Sequence, residues 1–197
     1  MVALILTLSA CQSTRQFEPL LTAQDVDLER FAGQWYVIAN IPTFLETQAF
    51  NSIEYYAIPE QGKVATTFTF NKGAFDGPRR TYRPTGFVET DRSNAIWGMQ
   101  FVWPFKAEYR IVYVDDAYRT TIVGRSKRDY LWVMSREPII PQASLDALLD
   151  IAEAQGYERD AIRLVPQQPL AERARLDIEA DGNRQITVTT AAAPTAK

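Results

Sequence analysis

Histidine is absent from the 197 residues, which removes the commonest general base and the commonest metal ligand together. The groups left for nucleophilic or acid-base work are one thiol, Cys11, and the carboxylates Glu54, Glu108, Asp115 and Asp116. Cys11 stands ahead of the periodic part of the chain, and as the sole cysteine it cannot form an internal disulfide. No two of the carboxylates are spaced so as to work on one reacting group, so the sequence reads as a non-enzyme. Haem or metal would have to be held by tyrosine or methionine, and no cofactor is expected. What the chain does concentrate is aromatic side chains, 12% of it, many at alternate positions of short apolar runs. The chemistry this pattern offers is the binding of an apolar molecule.

The elements that must carry these side chains are strands. With 46% hydrophobic and 23% charged residues, the chain is long enough for one domain with a sizeable core. The net charge of -3 and the lack of a Lys/Arg cluster argue against a nucleic-acid partner; Arg79-Arg80 and residues 125–128 read as loop residues. Gly33-Gln34-Trp35-Tyr36 opens an apolar run through Ala39. Far downstream, Tyr130-Leu131-Trp132-Val133-Met134-Ser135-Arg136 is an apolar strand that ends in arginine. An indole face suits that arginine, since stacking keeps its stem apolar and its charge compensated.

At these two stretches the sequence resembles the lipocalin family, whose Gly-x-Trp and late arginine close one end of an eight-stranded barrel. Val114-Asp115-Asp116-Ala117-Tyr118 is close to the longer middle motif of bacterial lipocalins. Residues 127–132, Ser135-Arg136-x-Pro138 and Val165-Pro166-Gln167-Gln168-Pro169 are also similar to the bacterial outer-membrane lipoprotein lipocalins. The resemblance covers residues 27–169. It implies an all-β fold, an eight-stranded antiparallel up-and-down barrel with one C-terminal α-helix packed outside, in which Gly33, Trp35 and Arg136 are structural.

Along the chain, residues 1–10 are apolar and end Leu8-Ser9-Ala10 before Cys11, which fits a lipoprotein signal peptide with Cys11 as the acylated residue. The basic residue that opens such leaders is missing after Met1, so the leader is read as truncated. Residues 11–26 are read as a lipidated tether to the membrane. Gln12 and Ser13 lack the aspartate that retains lipoproteins at the inner membrane of enteric bacteria, so the expected address is the bacterial outer membrane, on its periplasmic face. Asp27 can cap a helical turn over residues 28–31. Strands are expected over residues 34–40, 52–58, 63–71, 80–89, 95–103, 107–114, 118–125 and 129–135. The loop 42–50, with Phe44, Leu45 and Phe50, would stand over the open mouth. Pro141 suits a helix start, and Leu145, Leu148, Leu149 and Ala152 form one apolar stripe before Gly156 ends it. Residues 159–168 resemble a ninth strand. The extension 170–197 reads as a hairpin around Asp181-Gly182 or as disordered, with a disordered end; it is given no role of its own beyond a structural extension or a homodimer contact.

Period-two alternation then selects the inner face. It puts Met134, Trp132 and Tyr130 inward, with Val64, Thr66, Phe68 and Phe70 on the third strand. Trp97, Met99, Phe101 and Trp103 follow from the fifth, Tyr109, Ile111 and Tyr113 from the sixth, and Glu54, Tyr56 and Ile58 from the second; the second and sixth carry aromatics on both faces. The expected ligand-binding residues are Glu54, Tyr56, Phe68, Phe70, Trp97, Met99, Phe101, Tyr109, Tyr130 and Trp132. Glu54 either meets a cationic or hydroxyl-bearing head group, or faces solvent or pairs with Arg119 or Arg110. An acyl chain of about fifteen carbons, at about 0.8 kcal/mol per methylene, would give on the order of 10 kcal/mol before ordering costs. The expected function is storage, transport or repair of envelope lipids by binding fatty acids or lysophospholipids. The competing readings are an interaction lipoprotein with a filled barrel and a lipid-modifying enzyme.

Overall fold

Short β-rich runs separated by turn residues fold here into a single closed sheet. The computed structural model describes residues 18–89, 93–172, 178–180 and 184–186; the leader and Cys11 lie outside them. In chain order the strands are β1 Gly33–Ile41, β2 Ala49–Glu60, β3 Lys63–Lys72, β4 Arg79–Tyr82, β5 Thr85–Val88, β6 Ile96–Val102, β7 Phe105–Val114, β8 Thr120–Gly124 and β9 Leu131–Ser135. Apart from β4 and β5, sequence neighbours pair antiparallel, and β9 returns to pair with β1, Tyr36 lying opposite Ser135. β4 and β5 both lie against β3 and fill one strand position, so the barrel is eight-stranded. The expected unbroken strand over 80–89 is split at Arg83-Pro84, because proline has no N–H for the ladder.

Closure buries both faces of the early and late strands. Trp35 and Val37 point into the barrel, where they meet Tyr56, Val64, Trp97, Tyr109, Ile111 and Met134. Tyr36 and Ile38 point out, against Ile122, Leu131, Val133 and α2, Gln142–Ala154. The helix buries Leu145, Leu148 and Ala152 as the apolar stripe requires, and each leucine contributes about 1.5–3 kcal/mol. β10, Arg163–Leu164, adds to the outer edge of β1.

Two expectations about the ends of strands are corrected. A bulge between Ile111 and Tyr113 shifts the register of β7, so Tyr113 packs outside the barrel and Val114 takes the inner face. Trp103 lies in the turn between β6 and β7 and is 80% exposed, not inward. In the stretch read as a tether, Leu20 and Val26 are buried, and Ala23 donates from its backbone to Ile111 at 2.9 Å, so the chain is packed on the barrel before Asp27. In the extension, β11 Ile178–Ala180 pairs antiparallel with β12 Arg184–Ile186; the Asp181-Gly182 turn lies outside the described residues.

A ligand cavity between a plugged floor and an apolar mouth

The barrel is plugged at one end by residues that satisfy one another. Asp27 caps α1, Leu28–Phe31, by accepting from the backbone N–H groups of Glu29 and Arg30. Trp35 lies beneath this turn and donates Nε1–H to the Phe31 carbonyl at 2.8 Å. The Arg136 guanidinium stacks on the Trp35 ring, 3.7 Å from its centroid. It also donates to the carbonyls of Gln34 (2.7 Å), Arg30 (2.8 Å), Ala32 (2.9 Å), Phe31 (3.1 Å) and Tyr118 (3.2 Å). One fork of five donors thus covers carbonyls that the end of a four-residue helix leaves open. Burial lowers the Arg136 pKa to about 10, so it stays charged at neutral pH. Gly33, at φ +92°, passes beneath this guanidinium, where an added Cβ would sit 3.4 Å from Nη1.

Above the plug the side chains leave a cavity of about 530 Å3, within the range of small-ligand sites. Its floor is Tyr56 and Tyr109, whose hydroxyls lie 2.6 Å apart and whose rings rest on Trp97. Phe68, Met99, Tyr130 and Trp132 form the walls, and Phe44, Leu45, Phe101 and Val102 the mouth. At this mouth Phe44 is 82% and Phe101 54% exposed, and the adjoining turn and the start of β7 carry Trp103 and Phe105, at 80% and 76%. Large apolar side chains so exposed and so close together are unusual on a monomeric surface.

Eight of the ten expected ligand-binding side chains line this space: Glu54, Tyr56, Phe68, Met99, Phe101, Tyr109, Tyr130 and Trp132. Trp97 points inward but belongs to the plug, stacked 4.9 Å from Tyr109 with its Nε1–H donated to the Asn94 carbonyl. Phe70 is buried in a small cluster with Ala49, Phe68 and Tyr82. Sequence reasoning missed Glu46, Tyr82, Arg83 and Arg125, which also line the cavity. Glu46 had a local signal, the Thr43-x-x-Glu46 spacing of a capping box, of which the loop makes one half: Thr43 N–H donates to Oε2 at 3.0 Å, while Glu46 N–H closes a turn on the Thr43 carbonyl at 3.1 Å.

The carboxylates weighed for catalysis separate by environment. Glu108 accepts from Arg110, Ser126 Oγ and Ser126 N–H, and those bonds outweigh burial, the largest single influence, to lower its pKa. Arg110 is therefore engaged away from Glu54. Asp115 accepts from the backbone N–H groups of Arg119 and Thr120 and shapes a turn. Glu54 faces the cavity between its cross-strand neighbours Trp35 and Phe68. Burial, and then the nearby Glu46, push its carboxyl well above the usual range. Among the described residues no group of three His, Cys, Asp or Glu could hold a metal ion.

A closed antiparallel barrel with one plugged end, one open end and an apolar cavity is the architecture of a protein that binds small hydrophobic molecules. The chain belongs to the lipocalin family: the lipocalin-like domain matches residues 26–167. It is 28% identical to the outer membrane lipoprotein Blc of Citrobacter freundii over 161 residues, 80% of this chain and 89% of that protein. Temperature-induced lipocalin-1 of Arabidopsis thaliana is 23% identical over 150 residues, covering 72% and 80%. Among solved structures, insecticyanin of the tobacco hornworm Manduca sexta superposes with a TM-score of 0.61 at 14% identity, covering 76% of this chain and 85% of that one. That likeness is one of fold.

Proposed function

We propose that this lipocalin binds single-chain lipids, fatty acids or lysophospholipids, one per barrel, and stores, transports or returns them at the bacterial outer membrane. The observation that carries this reading is the cavity itself, walled by aromatic and thioether side chains and opening through an apolar mouth. A barrel with that much free space is poorly suited to the filled, interaction-only alternative. Exposed Phe44, Trp103 and Phe105 would let the mouth meet a lipid surface without a water-filled gap between membrane and cavity. The Leu8-Ser9-Ala10-Cys11 sequence, with the lipoprotein naming of the Blc relatives, supports acylation of Cys11 and a tether to the periplasmic face of the outer membrane. The reading is of a binding protein, with Glu54 and the tyrosines as binding groups and not catalysts.

Titration of the full chain carrying Cys11→Ser with an environment-sensitive fluorescent fatty acid tests the reading. Saturation at one probe per chain is expected, at micromolar affinity or better, with displacement by unlabelled lipid and about tenfold weakening in Trp132→Ala at unchanged unfolding temperature. Absence of saturable binding would overturn it.

A further inference from the structure

Among the acidic groups that line the cavity, only the Glu54 carboxyl is without a hydrogen bond among the described residues. Glu46, buried beside the mouth loop, accepts Trp132 Nε1–H at 2.8 Å on Oε1, and Thr43 Oγ1–H at 2.6 Å and Thr43 N–H at 3.0 Å on Oε2. The Tyr56 and Tyr109 hydroxyls bond each other. Glu54 accepts no hydrogen bond among the described residues; its Oε2 is buried without a partner, while the side chain keeps surface toward the cavity. Such a group costs the empty protein stability unless something in the cavity completes it.

Three features say what would complete it. Two carboxyl groups stand close enough to feel each other, and neither has a salt bridge among the described residues. The surrounding walls are ring faces, those of Tyr56, Tyr109, Phe68 and Trp132. A buried carboxyl set among aromatic faces is held neutral while the site is empty, and it ionises when a compact organic cation pairs with it; an anion offers no such compensation. Two arginines also line the cavity, and both are engaged elsewhere: Arg83 has a partner of its own, and Arg125 lies 3.5 Å from Asp129 and 5.1 Å from the Tyr130 ring centroid, although its Nε makes no hydrogen bond. Glu54 lies one inward position, about 7 Å, from the floor residue Tyr56 along β2, so a polar group reaching it must enter first.

We propose that the cavity prefers single-chain amphiphiles bearing a primary ammonium, bound with the nitrogen inward on Glu54 and the alkyl chain running out between the aromatic walls to the apolar mouth. The proposal rests on the lipid-binding reading and sorts its ligands, amines ahead of carboxylic acids. A fatty acid entering head-first would bring its charge beside Glu46; entering tail-first it would bury Glu54 under methylenes with no donor.

The test compares dodecylamine, dodecanol and dodecanoic acid, each below its micellar concentration, by calorimetry on the full chain carrying Cys11→Ser and on the same chain with Glu54→Gln. Dodecylamine is expected to bind about tenfold or more tighter than dodecanoic acid, and Glu54→Gln to erase that preference while leaving the acid's affinity unchanged or improved. If Glu54→Gln fails to fold, Glu54→Leu, which removes the unpaired oxygen, serves in its place. Equal binding of amine and acid, or an amine preference that survives the substitution, overturns the proposal and leaves the lipid-binding reading standing. Binding of none of the three overturns both.

Discussion

The two ends of the barrel are made from the same residue types and put to opposite uses. At the plugged end aromatic rings and one arginine meet in a space with no room left: Trp35 and Phe31 are fully buried, and Arg136 makes five hydrogen bonds to backbone carbonyls. At the open end a carboxyl is buried without a donor, and Phe44 and Trp103 stand in solvent. Stability is concentrated below Tyr56, and unspent binding capacity above it. Glu54 and Trp35, paired across β2 and β1, mark the boundary.

Four variants bear on that division, and the first two should act on stability alone. Trp35→Ala removes the largest fully buried side chain of the plug and is expected to destabilise by about 3–5 kcal/mol, measured by chemical denaturation. Arg136→Met keeps the stem over Trp35 but leaves several carbonyls unpaired, with an expected loss of about 2–3 kcal/mol. If either changed ligand affinity without changing stability, the division would be wrong.

Glu54→Gln should do the reverse to the empty protein. A carboxyl whose pKa is raised on folding makes the folded state hold more protons than the unfolded one. Its stability therefore falls as pH rises from the ordinary carboxylate range through the raised value, and levels off beyond. For Glu54, raised by burial and by Glu46, this predicts falling stability on the alkaline side of the ordinary carboxylate range, with a slope of at most about 1.4 kcal/mol per pH unit. Glu46, raised by burial, adds in the same direction. Denaturation of Glu54→Gln across that window should give a flatter profile; an unchanged profile would mean that the carboxyl is solvated. The smallest effect on stability, within about 0.5 kcal/mol, is expected for Phe44→Ser with Trp103→Ser, while lipid exchange with vesicles slows.

The same boundary separates what could be read from the sequence from what could not. Gly33 and Trp35 lie far from Arg136 in the chain but are of residue types that fit one another, and strict alternation placed Glu54, Tyr56, Phe68, Met99 and Trp132 on the inner face. Alternation carries direction but not depth, so it could not tell that Trp97 would be plug and not wall. Nor does it survive an irregularity: the bulge after Ile111 turned Tyr113 outward, and the turn after Val102 left Trp103 in solvent. Glu46 lies in a loop with no period at all. Its reach into the cavity follows from its bonds to Thr43 and Trp132, a contact across distant parts of the chain.

The central claim is that the open half of the barrel is a site for one lipid chain. Native mass spectrometry of the full chain carrying Cys11→Ser, expressed in a bacterium and purified without detergent, tests it most directly. The account predicts one co-purified single-chain lipid per protein molecule, released on solvent extraction and reduced in Trp132→Ala. A homogeneous, folded protein at its bare mass that takes up no added lipid would contradict it.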